Sequence, residues 1–223
     1  MPTSETAVSR PRRRTQAERR AVTRAKITTG ALDALGRLGY TQMKIGDVAK
    51  SVGVSSGAVS HHFPQKTDLA IAAIEEGERI VLDRLRQLVA DAEGSRDQDG
   101  LILDALYEVH SGIEFQAFLS VQAHARTHPE LAPGMNKIIV RATREMGEIA
   151  AEGWGPEVAN SARFRAFIAA ALGTVRGLVI IAGVATPEGG NQDTWPAGRD
   201  VWPEGRSLLL MRLEELRSEN QRR

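Results

Sequence analysis

Helical patterning runs through almost the whole sequence and constrains the fold more than any other feature. Apolar residues recur at spacings of three and four, and no segment shows the strict alternation typical of a strand. The predicted helical segments are residues 27–38, 45–52, 55–63, 66–89, 101–128 with an interruption near Ser111 and Gly112, 133–152 and 156–184, and a terminal helix around Leu208, Leu209, Leu213 and Leu216. We therefore expect an all-α fold.

Glycine and proline predict where several of these helices end. Gly39 and Gly53 follow the first two, and glycine adopts the left-handed conformation of a helix end without a Cβ penalty. Pro64 ends the third helix, because its ring cannot continue the hydrogen-bond pattern. Residues 186–203 are rich in proline, glycine and asparagine, and we predict a flexible loop there.

The composition excludes several classes of protein. The sequence has no cysteine, which rules out disulfides, thiolate zinc sites and cysteine nucleophiles. Its basic N-terminus is followed by no apolar stretch of the kind that a signal peptide needs. The one segment near the ~20 residues that span a bilayer, residues 166–185, has Arg176 at its middle, where a charge is costly. We expect a cytoplasmic protein without a membrane partner.

Charge divides the sequence into two halves of opposite sign. The formal net charge is only +1, yet residues 1–74 hold 12 Lys and Arg against 5 Asp and Glu, while the remainder holds 17 against 23. The basic half begins with residues 1–15, a polar and arginine-rich stretch that we predict to be a disordered arm. A basic N-terminal module on an acidic body indicates that the module binds a polyanion.

Three residues at fixed spacing predict a helix-turn-helix. Ala49 is small enough for two short helices to cross closely, and Gly53, four residues later, tolerates the positive φ of a tight turn. Val59, six residues further, fills the corner between the helices. The opposite face of the second helix is then free to enter the major groove of DNA. A generic helical corner shows similar spacing, but here a basic arm adjoins it.

The sequence around this corner also resembles a known family. GY at residues 39–40, DVA at 47–49, GVSSGAVSHHF at 53–63 and PQKTDL at 64–69 are similar to the DNA-binding domain of tetracycline-repressor (TetR) type regulators. The resemblance covers residues 27–69 and implies a three-helix DNA-binding domain, with residues 55–63 as the recognition helix, before a helical ligand-binding and dimerisation domain. We predict domains at residues 1–15 (basic arm), 16–65 (helix-turn-helix) and 66–223 (helical body).

The residues predicted to contact double-stranded operator DNA lie on the recognition helix, at its flanks and in the arm. They are Arg12, Arg13, Arg14, Lys44, Ser55, Ser56, Gly57, Ser60, His61, His62 and Lys66. The sequence departs from the family pattern at Met43, Gly46 and Ser60, the last of which stands where a phosphate-contacting tyrosine is common. We therefore expect phosphate anchoring by Lys44, Lys66 and the arm, which is also placed to enter a minor groove.

The last two long helices are the predicted dimer surface. A two-fold dimer presents two recognition helices to half-sites about 34 to 36 Å apart. The helix of residues 156–184 is apolar around much of its circumference, more than one partner inside a subunit would cover, although the core helix of a monomer is the alternative. The predicted interface residues are Phe167, Ala171, Val175, Leu178, Leu209, Leu213 and Leu216.

The resemblance implies a ligand pocket among the middle helices. The residues expected to line it are Tyr107, His110, Phe115, Phe118, Gln122, Met146 and Phe164. Core packing is the commoner role for any one of them, but together they predict a small, largely apolar effector. The family's usual mechanism is repression of a pseudo-palindromic operator, relieved when the effector favours a conformation whose recognition helices are wrongly spaced.

Two other functions stay open at this point. The sequence contains no Walker A loop, no G-x-S-x-G, no H-E-x-x-H and no Rossmann fingerprint, so a helical enzyme is unsupported. A sequence-tolerant architectural DNA binder would differ in its ratio of specific to non-specific affinity. No cofactor is expected. His124 and His128 have the spacing of two metal ligands, but a histidine in the last turn of a helix is favoured by the helix dipole alone, and we prefer that interpretation.

Overall fold

The computed structural model describes residues 15–155, 161–184 and 198–221, and in these residues the regular secondary structure is entirely α-helical. Nine helices follow one another along the described chain. They are α1 (Gln16–Gln42), α2 (Ile45–Ser51), α3 (Ser56–His62), α4 (Lys66–Ala92), α5 (Gln98–His110), α6 (Ile113–Ala125), α7 (Ala132–Trp154), α8 (Ala162–Val184) and α9 (Gly198–Gln221). The predicted all-α fold is confirmed.

Helix α1 is fixed at its N-terminus by a reciprocal cap. The Thr15 hydroxyl accepts a hydrogen bond from the Glu18 backbone N–H at 3.2 Å, and the Glu18 carboxylate accepts one from the Thr15 N–H at 2.7 Å. The pair satisfies two of the free donors at the start of the helix. Gly39 has a φ of 76° and interrupts the helix, where the sequence predicts its end. One further turn leads the chain toward α2.

Helices α2 and α3 form the predicted helix-turn-helix. Gly53 joins them with a φ of 68°, a conformation that a side chain would strain. Ala49 and Val59 are buried where the two helices meet. They belong to one core with Ile27 of α1 and Leu69 of α4. Helices α1 and α4 therefore pack against the buried side of the helix-turn-helix.

Helix α4 connects this unit to the remaining helices. It packs against α1 and also against α5, α6 and α7, while α1 lies along α6. At Gly36 of α1 an added Cβ atom would lie 2.3 Å from Ile113 Cγ1 of α6, so the two helices approach too closely for any side chain there. Helices α4 and α6 thus both pack directly on α1.

Helix α9 is docked on α5 and α8 by aromatic and charged side chains. The Trp202 ring stacks on Tyr107 with 4.6 Å between centroids, and the Trp202 indole N–H donates to Asp104 Oδ1 at 2.8 Å. The Arg206 guanidinium binds the same carboxylate at 3.0 Å. At Gly205 an added Cβ would lie 3.1 Å from Leu178 Cδ1, which shows how closely α9 approaches α8.

The predicted loop of residues 186–203 is wrong at its C-terminal end, because residues 198–203 belong to α9. Pro203 lies inside this helix despite its poor helix propensity. The contact of Trp202 with Tyr107 explains the difference, since tertiary packing overrides local preference. Residues 186–197 of that loop, residues 1–14 of the predicted arm and residues 156–160 of the predicted helix lie outside the described residues.

Candidate nucleic-acid interface and ligand site

Helix α3 presents a polar face to solvent while its apolar side chains anchor it. Val59 is completely buried, and the Ser55 hydroxyl caps the helix by accepting a hydrogen bond from the Ala58 N–H at 3.1 Å. Five of the predicted DNA-contacting residues form the exposed face: Ser55, Ser56, Gly57, Ser60 and His61. A short helix with one exposed polar face has the shape that a major groove accepts.

Two arginines of α1, which the sequence reasoning missed, border this face. Arg24 donates to the His62 carbonyl oxygen at 3.3 Å, and its guanidinium lies 4.2 Å from the centre of the Phe63 ring. Burial lowers the pKa of His62, and the positive charges of Arg20 and Arg24 lower it further, together with the His61 ring. Arg20 and Arg24 are one helical turn apart beside the basic arm, and that spacing was the signal that could have identified them.

The two predicted lysine anchors have different surroundings. Lys44 is exposed ahead of α2. Lys66 is half-buried: its ammonium donates to the Thr41 carbonyl oxygen at 3.3 Å and lies 4.6 Å from the centre of the Tyr40 ring. Burial also lowers the pKa of Lys66. An ammonium has three donors, so Lys66 can bind a phosphate only with those that Thr41 leaves free.

The helical body contains a small apolar cavity between α4, α5, α7 and α8. Its volume is about 30 Å³, and all of its lining side chains are apolar: Leu85, Val89, Ile102, Leu106, Met146, Ile149, Ala150, Trp154, Ile168 and Leu172. That volume is roughly a tenth or less of the ~300–1,000 Å³ of typical ligand pockets. A larger ligand enters only if these helices move apart.

The predicted pocket residues divide among several places in the body. Met146 lines the cavity, and the Phe164 ring contacts the edge of Trp154, which lines it too. His110, Phe115 and Phe118 form a buried aromatic group, with 4.9 Å between the His110 and Phe115 centroids. The Tyr107 ring instead stacks on the Trp202 ring. Gln122 is exposed on α6, so the structure places it away from this cavity.

The structure places six of the seven predicted dimer residues inside the subunit. Phe167, Ala171, Val175, Leu209, Leu213 and Leu216 are buried within the single chain, and Leu178 is half-buried beside Gly205. The same two helices expose other large apolar side chains, namely Ile180 and Ile181 on α8 and Leu208 and Met211 on α9. The apolar residues of α8 and α9 thus lie on two faces: one face is buried inside the subunit, and the other is exposed.

Comparison with known proteins identifies the N-terminal unit. The family model described as "Bacterial regulatory proteins, tetR family" matches residues 27–73, which include the whole helix-turn-helix. Residues 27–73 are a TetR-family DNA-binding domain. It is 35% identical over 131 residues to the HTH-type transcriptional regulator CymR of Pseudomonas putida, a match that covers 59% of this chain and 64% of CymR. The chain therefore spans slightly less than two thirds of that relative's length.

Solved structures of similar fold also cover the helical body. The multidrug binding protein EbrR, complexed with imidazole, aligns with a TM-score of 0.55 and 20% identity over 84% of this chain and 93% of EbrR. A transcriptional regulator from Saccharomonospora viridis, in complex with choline, aligns with a TM-score of 0.60 and 20% identity over 87% of this chain and 96% of its own. At this identity the alignments establish the fold.

A polar junction joins the TetR-type DNA-binding unit to α6. The Tyr40 backbone N–H donates to Ser120 Oγ at 2.6 Å, and His124 Nε2 lies 2.7 Å from Thr41 Oγ1. His124 Nδ1 lies 2.8 Å from the Ser120 carbonyl oxygen, so both ring nitrogens contact protein atoms. The ring of His128 packs on Tyr40. These histidines, which the sequence singled out as a pair of metal-type spacing, thus connect the DNA-binding unit to the body.

Replacing Arg24 with glutamine should weaken DNA binding and change His62. We expect the slope of log affinity against log salt to fall by about 1, because we predict that this cation contacts a phosphate. The pKa of His62 should rise toward its ordinary value, since a positive neighbour is removed. Fluorescence anisotropy at several salt concentrations and NMR titration of the imidazole measure the two effects. Arg84→Gln, on α4, is the matched control and should change neither quantity.

Acid should destabilise the TetR fold through His110. Burial lowers the pKa of this histidine to about 4, below the ~6.5 of an unfolded chain. Between these values the unfolded state binds a proton that the folded state does not, so stability is present above pH 6.5 and falls as the pH drops. The loss between pH 7.5 and pH 5 is about 2 kcal/mol. Denaturant unfolding should show this loss reduced in His110→Phe; an equal loss in both proteins would contradict it.

Proposed function

We propose that this TetR-family regulator is a dimeric, one-component repressor that leaves a pseudo-palindromic operator when a small, largely apolar effector binds its helical body. The observation that carries the proposal is the exposed polar face of α3, bordered by Arg20 and Arg24 and fixed to the body by α4 and by the junction at His124. We place it in the bacterial cytoplasm. Its relatives are named as transcriptional regulators, and we propose no catalytic activity.

We assign the proposed functions to three ranges of the sequence. Residues 16–65 bind DNA, residues 66–223 bind the effector and the second subunit, and residues 1–15 form a basic arm that adds contacts to the phosphate backbone. Arg12, Arg13 and Arg14 are assigned to this arm from the sequence. Removal of residues 1–14 should lower both the affinity and its salt dependence, measured by anisotropy on one operator fragment; an unchanged salt slope would remove the arm from the proposal.

A second copy of the chain is the proposed partner of the outer face of α8 and α9. Residues 162–181 have a mean hydropathy of 1.8, long and apolar enough to cross a membrane by length and composition, but only 28% of this stretch is buried in one subunit. At Gly173 and Gly177 an added Cβ would meet nothing within 4 Å, which leaves room for a helix of the partner. With Ile181, Leu208 and Met211, these residues supply the self-complementary surface that a two-fold dimer needs.

The proposed release mechanism follows from the size of the cavity. Because the cavity holds about 30 Å³, an effector must separate α5, α7 and α8, and α4 packs on α5 and α7. A shift of α4 moves the helix-turn-helix at its N-terminal end and alters the spacing of the two recognition helices. The imidazole complex of EbrR and the choline complex of the Saccharomonospora viridis regulator support a small organic effector. The effector shifts the equilibrium between the two conformations only by as much as its affinities for them differ.

Selection from a pool of random DNA tests the proposed operator. We expect enrichment of inverted repeats whose half-site centres lie about one helical turn, or a multiple of it, apart. Specific sites should bind ~10³-fold or more tightly than scrambled DNA of the same composition. Enrichment of single half-sites would argue against the dimer. If the protein binds DNA but enriches no sequence from the pool, the result would favour a sequence-tolerant architectural DNA binder.

A further inference from the structure

Two charged side chains in the body, one on α4 and one on α8, each have a buried polar atom without a hydrogen-bond partner. Glu78 of α4 is only 8% exposed, and its Oε2 has no hydrogen-bond partner; Arg176 of α8 has a fully buried Nε that also has none. The charge of Arg176 acts on Glu78, as do the charges of Arg141 and Glu145 on α7. Unsatisfied buried polar atoms are rare because burying one without a hydrogen bond costs free energy. A group that binds both of them would relieve that cost.

Aromatic rings form the surroundings of the Arg176 guanidinium. Its central carbon lies 5.6 Å from the centre of Phe115 and 5.9 Å from the centre of Phe118. His110, next to Phe115, carries no charge at neutral pH because burial lowers its pKa to about 4. The site therefore combines one guanidinium with flat apolar walls.

The apolar cavity reaches the same level of the bundle as this pair. Leu172, which lines the cavity, precedes Arg176 by one turn of α8, and Leu106, which also lines it, precedes His110 by one turn of α5. Glu78 lies two turns before Leu85 on α4, which runs in the opposite direction. Residues four or seven positions apart share one face of a helix, so the charged pair lies one to two helical turns from residues that line the cavity.

Glu78 and Arg176 differ in whether the side chain keeps its charge. Burial raises the pKa of Glu78, so this carboxyl can take up a proton and become a donor. A guanidinium stays protonated in proteins even where burial lowers its pKa, as it does at Arg176. The permanent charge of the site is positive, and its fork of donors matches the two oxygens of a carboxylate.

We propose that Arg176 anchors the acidic group of the effector, so that the effector is an amphiphilic carboxylate with its apolar body in the cavity between α5, α7 and α8. In its protonated form Glu78 can donate to the same carboxylate. This inference rests on the proposed effector-responsive function and specifies its ligand class. It differs in charge from choline, the cation bound by the Saccharomonospora viridis regulator.

Matched ligands with one apolar body and different head groups test the proposal. The full-length protein, without DNA, is titrated with 4-phenylbutyrate, 4-phenylbutanamide and 4-phenylbutylamine, and then with the corresponding octyl and naphthylmethyl series. Calorimetry and intrinsic tryptophan fluorescence, to which Trp154 at the cavity contributes, report binding. We expect the acid of at least one series to bind at least ~10-fold more tightly than its amide and its amine.

Variants assign the preference to Arg176. Arg176→Met should abolish the advantage of the acid over the amide, Arg176→Lys should keep part of it, and the surface control Arg84→Met should keep all of it. Circular dichroism and thermal unfolding verify that each variant is folded. A preference for the amine, an acid preference that survives in Arg176→Met, or a panel in which no acid binds would each overturn the proposal. Operator binding is measured separately, so a protein that binds the acid but ignores DNA would refute the proposed function and leave this inference standing.

Discussion

Glutamate at both Ile181 and Met211 should convert the protein to a monomer and lower its affinity for a two-half-site operator by about 10²–10⁴-fold. These side chains are 56% and 55% exposed on the outer face of α8 and α9. In a dimer each new carboxylate would be buried without a partner, which strongly disfavours association. A monomer also loses the effective concentration that a second recognition helix provides.

Light scattering and anisotropy measure the two parts of this prediction. Val140→Glu is the control, because Val140 is 70% exposed on α7 and its replacement likewise puts a carboxylate in place of an exposed apolar side chain. We expect the control to remain dimeric and to bind the operator normally. If the double variant stays dimeric, the interface lies elsewhere on the subunit.

Aspartate at Val59 should abolish operator binding by unfolding the helix-turn-helix. Val59 is completely buried between α2 and α3, in the core that they share with α1 and α4. A carboxyl group there loses the packing of two methyl groups and finds no hydrogen-bond partner, so we expect a loss of roughly 2 to 5 kcal/mol in the free energy of unfolding. Thermal unfolding followed by circular dichroism measures the loss.

Two further variants separate packing from charge at this site. Val59→Ala should cost about 2 kcal/mol and retain measurable operator binding, since it removes volume without burying a polar group. Val22→Asp, on an exposed part of α1, should leave the free energy of unfolding nearly unchanged. A stable Val59→Asp protein that still binds operator would show that the helix-turn-helix does not depend on the burial of an apolar side chain at Val59.

The helix-turn-helix was predictable because its determinants are local. Ala49, Gly53 and Val59 lie within eleven consecutive positions, and each has a steric role that its residue type reveals. Arg24 was not predictable in the same way. Its contacts with His62 and Phe63 join residues almost forty positions apart and depend on how α1 crosses α3.

Apolar periodicity marked the buried faces of the body but could not say which partner covers each face. Leu213 and Val175 were expected at a subunit interface, yet both are completely buried by the chain's own helices. The outer residues Ile181 and Met211 carry no signal that distinguishes them from the inner ones. The start of α9 escaped prediction because Trp202 is held by Tyr107, a residue far away in the sequence.

Titration of the purified protein against the DNA upstream of its own gene tests the central claim most directly. Binding is measured at several salt concentrations and against a scrambled competitor of the same composition. The account predicts affinity for the upstream DNA at least ~10³-fold above that for the competitor, with a steep decrease as salt is added. Absence of binding to either DNA, even at low salt, would contradict it.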